Sequence, residues 1–250
     1  MHYQYQERYS DTHLNMVDVE GRRMKAAKVV AILEAELGNL DQLKLVDVGC
    51  STGIMTDVYG EHFKDVVGVD IDEPAIDYAI AHNHAPNIHY QLIDGMDTGV
   101  PDASMDVATC THVYEHVPDA VRLMDEIYRV LRPGGVCLFI AGNRIIWMET
   151  DNRLPLLSVV PKAIGHRYVR LMGKGDHYYE TQRTVWGLRK LVARFGVRDY
   201  TLKVVQDPER FHATDNIRPG SLKQKVAILM LRTAYWLSPD YIWLLKKSGS

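Results

Sequence analysis

One stretch of eight residues decides the fold of this 250-residue chain: Val46-Asp47-Val48-Gly49-Cys50-Ser51-Thr52-Gly53. The apolar run that leads into it, from Leu43 to Val48, predicts a buried strand that ends at a glycine-bearing turn. A helix-length segment, residues 55–63, comes next. Glycines let a ligand approach the backbone, and the first N–H groups of a helix have no partner within it. The stretch therefore predicts a strand, a ligand-binding turn and a helix.

The same alternation continues along the first 141 residues. Further strands are predicted at 66–71, 88–93, 105–111 and 136–141, and helices at 20–37, 74–80 and 119–131. Strands that alternate with helices predict parallel βαβ units in a doubly wound α/β sheet. Right-handed crossovers place the carboxyl ends of these strands at one edge, where such sheets bind ligands. The functional residues are therefore expected just after each strand.

Acidic residues stand at two of these strand ends. Asp70 ends the second strand, where a carboxylate accepts hydrogen bonds from ribose hydroxyls. Asp94 ends the third strand and is suited to accept from an adenine amino group, with the backbone N–H groups of Gly95 and Met96 beside it. A dinucleotide fingerprint needs G-x-G-x-x-G, whereas position 51 of this turn is serine. The pattern indicates an adenosine-containing cofactor and argues against NAD.

In this order and spacing, residues 43–141 resemble the class I S-adenosylmethionine-dependent methyltransferases of the methyltransferase type 11 group. The resemblance includes the E-H-V element at 115–117 and the L-x-P-G-G turn at 131–135; the family's common middle glycine is Ser51 here. It implies a Rossmann-like, seven-stranded sheet whose last strand is antiparallel, with strands six and seven at 200–205 and 241–247. It also implies S-adenosyl-L-methionine as cofactor. The cofactor-binding residues expected are Asp47, Gly49, Cys50, Ser51, Gly53, Asp70, Ile71, Asp94, Gly95, Met96 and Thr111.

Histidines follow the fourth strand and are the candidate catalytic residues. Methyl transfer from a sulfonium is an in-line displacement, and a hydroxyl acceptor also needs a base, for which histidine is suited near neutral pH. His112 is the first candidate and His116 the second, with Glu115 as a third; a structural role for His116 is the alternative. The H-x-x-E-H pattern of residues 112–116 is typical of a zinc site in which all three side chains lie on one helix. Here the pattern follows a predicted strand and is followed by Pro118, so no such helix is predicted.

A metal site is not predicted. Residues 109–118 are similar to ubiquinone-pathway O-methyltransferases, a group in which acidic residues and a histidine bind a divalent metal. His112 stands where that group has an acid, so no residue is assigned as a metal ligand.

The rest of the chain is expected to add a cap to a single domain over residues 1–250. Insertions at about 143–183 and 206–239 leave the edge where the cofactor is expected, and together they are predicted to hold the acceptor. The acceptor is expected to be a small molecule or a glycan- or lipid-linked compound. A helix within 222–237 combines lysines and an arginine with apolar residues, as in helices that contact a membrane surface. Tyr3, Tyr5 and Tyr9 are candidates for a lid over the cofactor, with plain packing on the domain as the alternative.

Composition bears on the protein's partners and its cellular location. The formal net charge of −3 gives no global attraction for nucleic acids, so no nucleic-acid partner is expected. The three cysteines are far apart in sequence, which is typical of a protein in a reducing compartment. The first residues are polar and aromatic and do not resemble a signal peptide, so a cytoplasmic location is predicted. No segment has the length and hydropathy of a membrane span. The pattern gives no indication of oligomeric state.

Three functions fit these observations. The first is an O-methyltransferase (EC 2.1.1.-) that uses S-adenosylmethionine. The second is an NAD-dependent oxidoreductase on the same layout, and the third is a non-catalytic protein that binds S-adenosylmethionine.

Overall fold

A computed structural model describes residues 9–12, 18–83, 85–149 and 152–249. Seven strands form one sheet in the order β3-β2-β1-β4-β5-β7-β6. β1 to β5 are parallel, and β7 lies antiparallel between β5 and β6. The strands are β1 Lys44–Val48, β2 Asp65–Asp70, β3 Ile88–Leu92, β4 Met105–Thr111, β5 Leu131–Gly142, β6 Gly196–Asp199 and β7 Asp240–Lys246. The prediction of a doubly wound, seven-stranded sheet with an antiparallel last strand is confirmed.

Helices cover both faces of the sheet. They are α1 Tyr9–Thr12, α2 Val19–Leu37, α3 Ile54–Gly60, α4 Glu73–His82, α5 Ala120–Val130, α6 Lys162–Leu171, α7 Val185–Leu191, α8 Thr201–Gln206 and α9 Leu222–Thr233. Alternate residues of β1 point to opposite faces: Leu45 packs in one core with α2, α3 and α8, and Val46 in another with α5 and α7. The sheet is therefore the middle of three layers, and only its edges remain for ligands.

The start of α4 shows how local sequence sets a boundary beside the site. Asp72 caps the helix, its side chain accepting from the Ala75 N–H at 3.2 Å, and Pro74 occupies the first turn. The carboxylate cap accepts a hydrogen bond from one of the N–H groups that have no partner in the first turn. Proline has no N–H, but no hydrogen bond is lost because the first turn has no intrahelical acceptor for it. The cap fixes the chain two residues after Asp70.

The predicted sixth strand is wrong. Residues 200–205 were expected to be extended, but α8 covers 201–206, and β6 is the preceding Gly196–Asp199. The side chain of Asp199 accepts from the Thr201 N–H at 2.8 Å and turns the chain into the helix. Thr201 and Val204 are buried, at helical spacing, against the face that holds α2. β6 lies at the sheet edge with its four residues exposed, so it lacked the apolar signal of a buried strand.

Both insertions begin and end at the carboxyl edge of the parallel strands. The first joins β5 to α7, and the second runs from the end of β6 to β7, whose first residue pairs with Gly142. The buried Asn143 side chain donates to the carbonyl oxygens of Trp236 and Ser238, at 2.8 Å each, and so ties the two insertions together. The first insertion also has a small core of its own: Leu154, Leu157, Val169 and Tyr178. None of the helices in the described ranges has the length and apolarity needed to cross a membrane.

Candidate functional site

The turn after β1 has a left-handed backbone at three alternate residues. The φ angles of Gly49, Ser51 and Gly53 are +76°, +49° and +71°. The Gly49 N–H donates to the Val69 carbonyl at 2.9 Å, and a Cβ on Gly49 would lie 2.4 Å from Val113 Cγ2. Glycine is required at 49 by both conformation and space. The same backbone preference explains why a glycine is common at position 51 in the resembling family, where this chain has a strained serine.

Asp70 connects this turn to the neighbouring strand. Its carboxylate accepts from the Ser51 N–H at 2.7 Å and from the Asp72 N–H at 2.9 Å. Desolvation at the end of β2 raises the pKa of Asp70 to about 6, although these N–H groups oppose the shift. A carboxylate has about four lone-pair positions, so each oxygen can still accept a bond from a ligand. Ile71 is half-buried between the two acids. The structure thus brings together the turn and Asp70, as predicted.

Asp47 and Cys50 lie beneath the turn. The buried Asp47 carboxylate accepts from the hydroxyls of Thr56 and Thr109, at 2.7 Å each, and desolvation raises its pKa. It therefore joins β1 to α3 and β4. The Cys50 thiol is also buried, which raises its pKa. These two side chains position the turn, and their prediction as cofactor-binding residues stays a prediction.

The other predicted cofactor residues lie at the ends of β3 and β4. The Asp94 carboxylate accepts from the Met96 N–H at 2.8 Å, and the Met96 side chain enters the core. A Cβ on Gly95 would lie 2.9 Å from Val48 Cγ1, so this loop packs closely on the end of β1. Thr111 ends β4, and its buried hydroxyl has no hydrogen-bond partner among the described residues.

Arg22 lies beside the candidate site, and the sequence analysis missed it. It lies on α2 and interacts electrostatically with Asp47 and Asp70; desolvation lowers its pKa, and the two carboxylates oppose that shift. Arg22 shares a face of α2 with the buried Ala26 and Val29, at positions i, i+4 and i+7. A charged residue on the apolar face was therefore the signal that could have revealed it.

His112 is held in an unusual position after β4. Its φ is +55°, which is strained for a histidine, and its N–H donates to the Ile140 carbonyl at 2.9 Å. His112 Nδ1 lies 3.3 Å from Glu115 Oε1. Desolvation alone would lower the pKa of His112, but the Glu115 hydrogen bond and the Asp240 and Glu115 charges raise it to about 9. His112 is therefore predominantly an imidazolium at neutral pH.

Two further polar residues face this pair, and the sequence analysis missed both. A Cβ placed on Gly142 would lie 3.5 Å from Glu115 Oε1, 3.7 Å from Gln182 Nε2 and 3.9 Å from Asp240 Oδ1. Glu115 Oε2 and Gln182 Oε1 are buried without a hydrogen-bond partner among the described residues. Buried acceptors normally have a donor, so these atoms are suited to a ligand with N–H or O–H groups. No short-range motif links residues so far apart in sequence.

His116 lies one turn on and packs against the N-terminal helix. Its ring meets the Tyr9 ring edge to face, with centroids 5.2 Å apart. The next residue, Ser10, donates from its N–H and its hydroxyl to Asp72, at 2.6 and 2.9 Å. α1 thus extends between the ends of β2 and β4. Of the predicted lid, Tyr9 has this contact, and Tyr3 and Tyr5 lie outside the described residues.

The donor set after β4 does not fit a divalent metal ion. In the described part of the chain, no three histidine, cysteine, aspartate or glutamate side chains are grouped as metal ligands. Glu115 bonds to the His112 imidazolium, whose positive charge would repel a cation.

Comparison with known proteins agrees with this geometry. The sequence profile of the methyltransferase domain family matches residues 46–139. A ubiquinone biosynthesis O-methyltransferase from Acinetobacter baylyi is 32% identical over 217 residues, which cover 83% of this chain and 76% of that protein. The same-named protein from Psychrobacter arcticus is 34% identical over 151 residues, or 58% of this chain. These residues are 54% of the Psychrobacter protein, so the chain spans about half the length of that relative.

A solved structure has the same fold. The S-adenosylmethionine-dependent methyltransferase from Mesorhizobium loti superposes with a TM-score of 0.59, covering 90% of this chain and 100% of that one. Sequence identity is 19%, so this likeness concerns the fold alone.

Proposed function

This chain belongs to the S-adenosylmethionine-dependent methyltransferase family, and we propose that it methylates an oxygen atom of a small-molecule acceptor. Family membership confirms the sequence-based identification of the family and of S-adenosyl-L-methionine as cofactor. It also favours methyl transfer over the NAD-dependent oxidoreductase. The hydrogen bond between Ser51 and Asp70 carries the cofactor part of the proposal, because it holds an acidic strand end against the glycine turn. The names of the relatives support an oxygen atom as the acceptor.

The described residues fit the cofactor in three places. Asp70 has lone pairs left for the ribose hydroxyls, and Asp94 with the Gly95–Met96 backbone lies at the next strand end, where adenine is expected. The Arg22 guanidinium is suited to the amino-acid carboxylate of the cofactor, because it is a partly desolvated cation beside the turn. Gly49, Ser51 and Gly53 keep the turn backbone in the left-handed form that this approach requires.

The bound cofactor would supply a methyl group on a positively charged sulfur. His112 is our proposed base for the acceptor hydroxyl, oriented by its Nδ1 contact with Glu115, so that Nε2 is left for the acceptor. Because its pKa is near 9, neutral His112 is a minor species at pH 7, and a His112 base requires a rate that rises up to about pH 9. His116 remains a second proposed catalytic residue; its Tyr9 contact favours a structural role.

The acceptor is proposed to bind between the turn after β4 and the two insertions, which we place in one domain with the sheet. Glu115, Gln182 and Asp240 surround Gly142 there. The relatives are named for ubiquinone biosynthesis, which supports a small-molecule acceptor. A glycan- or lipid-linked acceptor and a peripheral membrane contact through residues 222–237 are finer proposals. A cytoplasmic location is proposed from the free, buried cysteines Cys50, Cys110 and Cys137.

Calorimetry with S-adenosylhomocysteine and NADH, followed by transfer of labelled methyl groups to a panel of hydroxylated acceptors, tests this function. We expect S-adenosylhomocysteine to bind, NADH not to bind, and label to appear as an ether. Absence of S-adenosylhomocysteine binding would overturn the proposal. Binding of S-adenosylhomocysteine without methyl transfer to any acceptor would instead identify a non-catalytic binding protein. His112→Ala would then leave the affinity for S-adenosylhomocysteine unchanged.

A further inference from the structure

Charge is divided unequally between the sheet and the two insertions. Residues 152–175 contain five lysines and arginines and no acidic residue, and residues 216–239 contain four and none. The rest of the chain therefore holds 20 of the 29 basic residues and all 32 acidic ones. A chain with a net charge of −3 thus has two strongly basic segments on an acidic body. Segregation of this kind indicates a partner with a negative surface.

Both basic segments also expose apolar side chains on a helix. On α9, Leu222, Val226 and Leu229 follow one another at positions i, i+4 and i+7, and Leu222 is 76% exposed. On α6, Ile164 and Leu171 are seven residues apart on one face, and Leu171 is 84% exposed. Large apolar side chains on one helix face, with lysine and arginine around them, are the pattern of helices that lie in a membrane interface.

The fold places the two segments at the same end of the molecule. Both insertions leave the carboxyl edge of the parallel strands, and Asn143 at the start of the first bonds to Trp236 and Ser238 at the end of the second. Trp147 and Trp236, which flank this junction, are exposed. Tryptophan is enriched where proteins meet the headgroup layer. The basic and apolar features thus belong to two joined insertions that leave the edge where the acceptor is proposed to enter.

We propose that the two insertions together form a docking surface for an anionic phospholipid bilayer. Aliphatic side chains of α6 and α9 would enter the interface, and the surrounding lysines and arginines would contact lipid phosphates. The large apolar side chains exposed on α6 and α9 are leucine, isoleucine and valine, which favour a bilayer over RNA, whose bases are bound by stacking on aromatic rings. For α9, the proposal rests on the membrane contact already proposed for residues 222–237, and it extends that contact to the first insertion. It does not depend on methyl transfer.

The test is sedimentation of the full chain with vesicles of phosphatidylglycerol and phosphatidylcholine, compared with vesicles of phosphatidylcholine alone. We expect binding to the anionic vesicles, weakened by salt. Each lysine or arginine near such a surface contributes about 1 kcal/mol, so Lys223→Gln with Lys225→Gln is expected to weaken binding about tenfold or more. The matched control is Lys64→Gln, an exposed lysine of the body, which is expected to change nothing.

Two apolar double variants separate the insertions: Leu222→Ser with Leu229→Ser on α9, and Ile164→Ser with Leu171→Ser on α6. Both are expected to lose most vesicle binding, whereas Ile80→Ser on α4, where the isoleucine is as exposed as Ile164, is expected to keep it. If only the α9 variant loses binding, the joint surface is wrong and the contact through 222–237 stands. No binding to either vesicle, or RNA that displaces the vesicles, would overturn both. Unchanged S-adenosylhomocysteine affinity in every variant keeps these outcomes separate from the methyltransferase proposal.

Discussion

The cofactor half of the molecule, residues 44–142, and the two insertions are built on opposite principles. In the cofactor half, each functional group stands within a few residues of a strand end, and short local contacts such as Ser51 to Asp70 fix it. On the insertion side, the groups around Gly142 come from distant parts of the chain: Gln182 belongs to the first insertion, and Asp240 is the first residue of β7, directly after the second. The first region carries a net negative charge, and the second a net positive one. The first region is therefore defined by contacts close to the strand ends, and the second by contacts between residues far apart in sequence.

The largest effect is expected from Asp70→Asn, which tests whether the cofactor half depends on one carboxylate. The change removes a charged acceptor that two hydroxyl groups of the cofactor would use, and hydrogen bonds to charged groups contribute about 1.5–3 kcal/mol each. Calorimetry should therefore show S-adenosylhomocysteine affinity reduced about 100-fold or more. The fold should persist, because desolvation already disfavours the ionised carboxylate.

Asp65→Asn is the control for that experiment, since Asp65 stands at the other end of the same strand. It should leave S-adenosylhomocysteine affinity unchanged. Equal losses in the two variants would mean that β2 as a whole, and not its carboxyl end, supports binding.

Arg22→Ala is expected to have the second-largest effect. It should weaken S-adenosylhomocysteine binding about tenfold or more, because a charged hydrogen bond to the cofactor carboxylate is lost. Adenosine has no carboxylate and should bind the variant and the parent protein equally. The neighbouring Arg23, which pairs with Asp57 and Glu61 on the surface, provides the control variant Arg23→Ala. A parallel loss of adenosine affinity would show that Arg22 supports the turn and does not contact the carboxylate.

Arg22 also shows where sequence reasoning stops. Strand ends, the turn and Asp70 were predictable because the residues that define them are adjacent in sequence and their spacing is fixed by the βαβ unit. Arg22 precedes the turn by a whole helix, and only the packing of α2 brings it to Asp47. The prediction of the sixth strand was wrong for a related reason. The exposed edge strand β6 has no alternation of apolar residues, whereas the buried apolar residues of α8 resemble a strand in sequence.

The acceptor side was predictable only in part. His112 follows directly from the end of β4, but its raised pKa depends on Asp240, which lies 128 positions further along the chain and reaches the site through the pairing of β5 with β7. The sequence around His112 contains Glu115, but nothing in it indicates that the Asp240 carboxylate lies close to the imidazole.

A smaller effect is expected on stability between pH 6.5 and 9. His112 has a folded pKa of about 9 against about 6.5 in the unfolded chain, so its contacts stabilise fully below pH 6.5 and are lost as the pH rises through 9. Because 43% of the side chain is exposed, screening limits this contribution to about 1 kcal/mol or less. Urea unfolding over this range should show the decline.

Glu115→Gln is expected to flatten that decline and to lower the pKa of His112, measured by NMR titration of the imidazole. The control is Asp106→Asn, which also removes a carboxylate from an ion pair, with Arg132, but lies at the opposite end of β4 from His112. An unchanged His112 titration in Glu115→Gln would assign the raised pKa to Asp240 instead. The cofactor half would then depend on the insertion side for its charge state.

The smallest effect is expected at Ser51, where the turn carries strain. A residue with a side chain in the left-handed region costs about 1–2 kcal/mol, and glycine avoids this cost but loses about 0.5–1 kcal/mol of backbone entropy on folding. Ser51→Gly should therefore raise the free energy of unfolding by roughly 0.5 kcal/mol, and Ser51→Ala, which keeps the strain, should not raise it. Both variants retain the N–H that donates to Asp70, so S-adenosylhomocysteine affinity should stay within about twofold. A loss of affinity in Ser51→Gly, with stability gained, would mean that the strained serine is kept because its fixed backbone aims that N–H, and that rigidity of the turn matters more to the cofactor half than its stability.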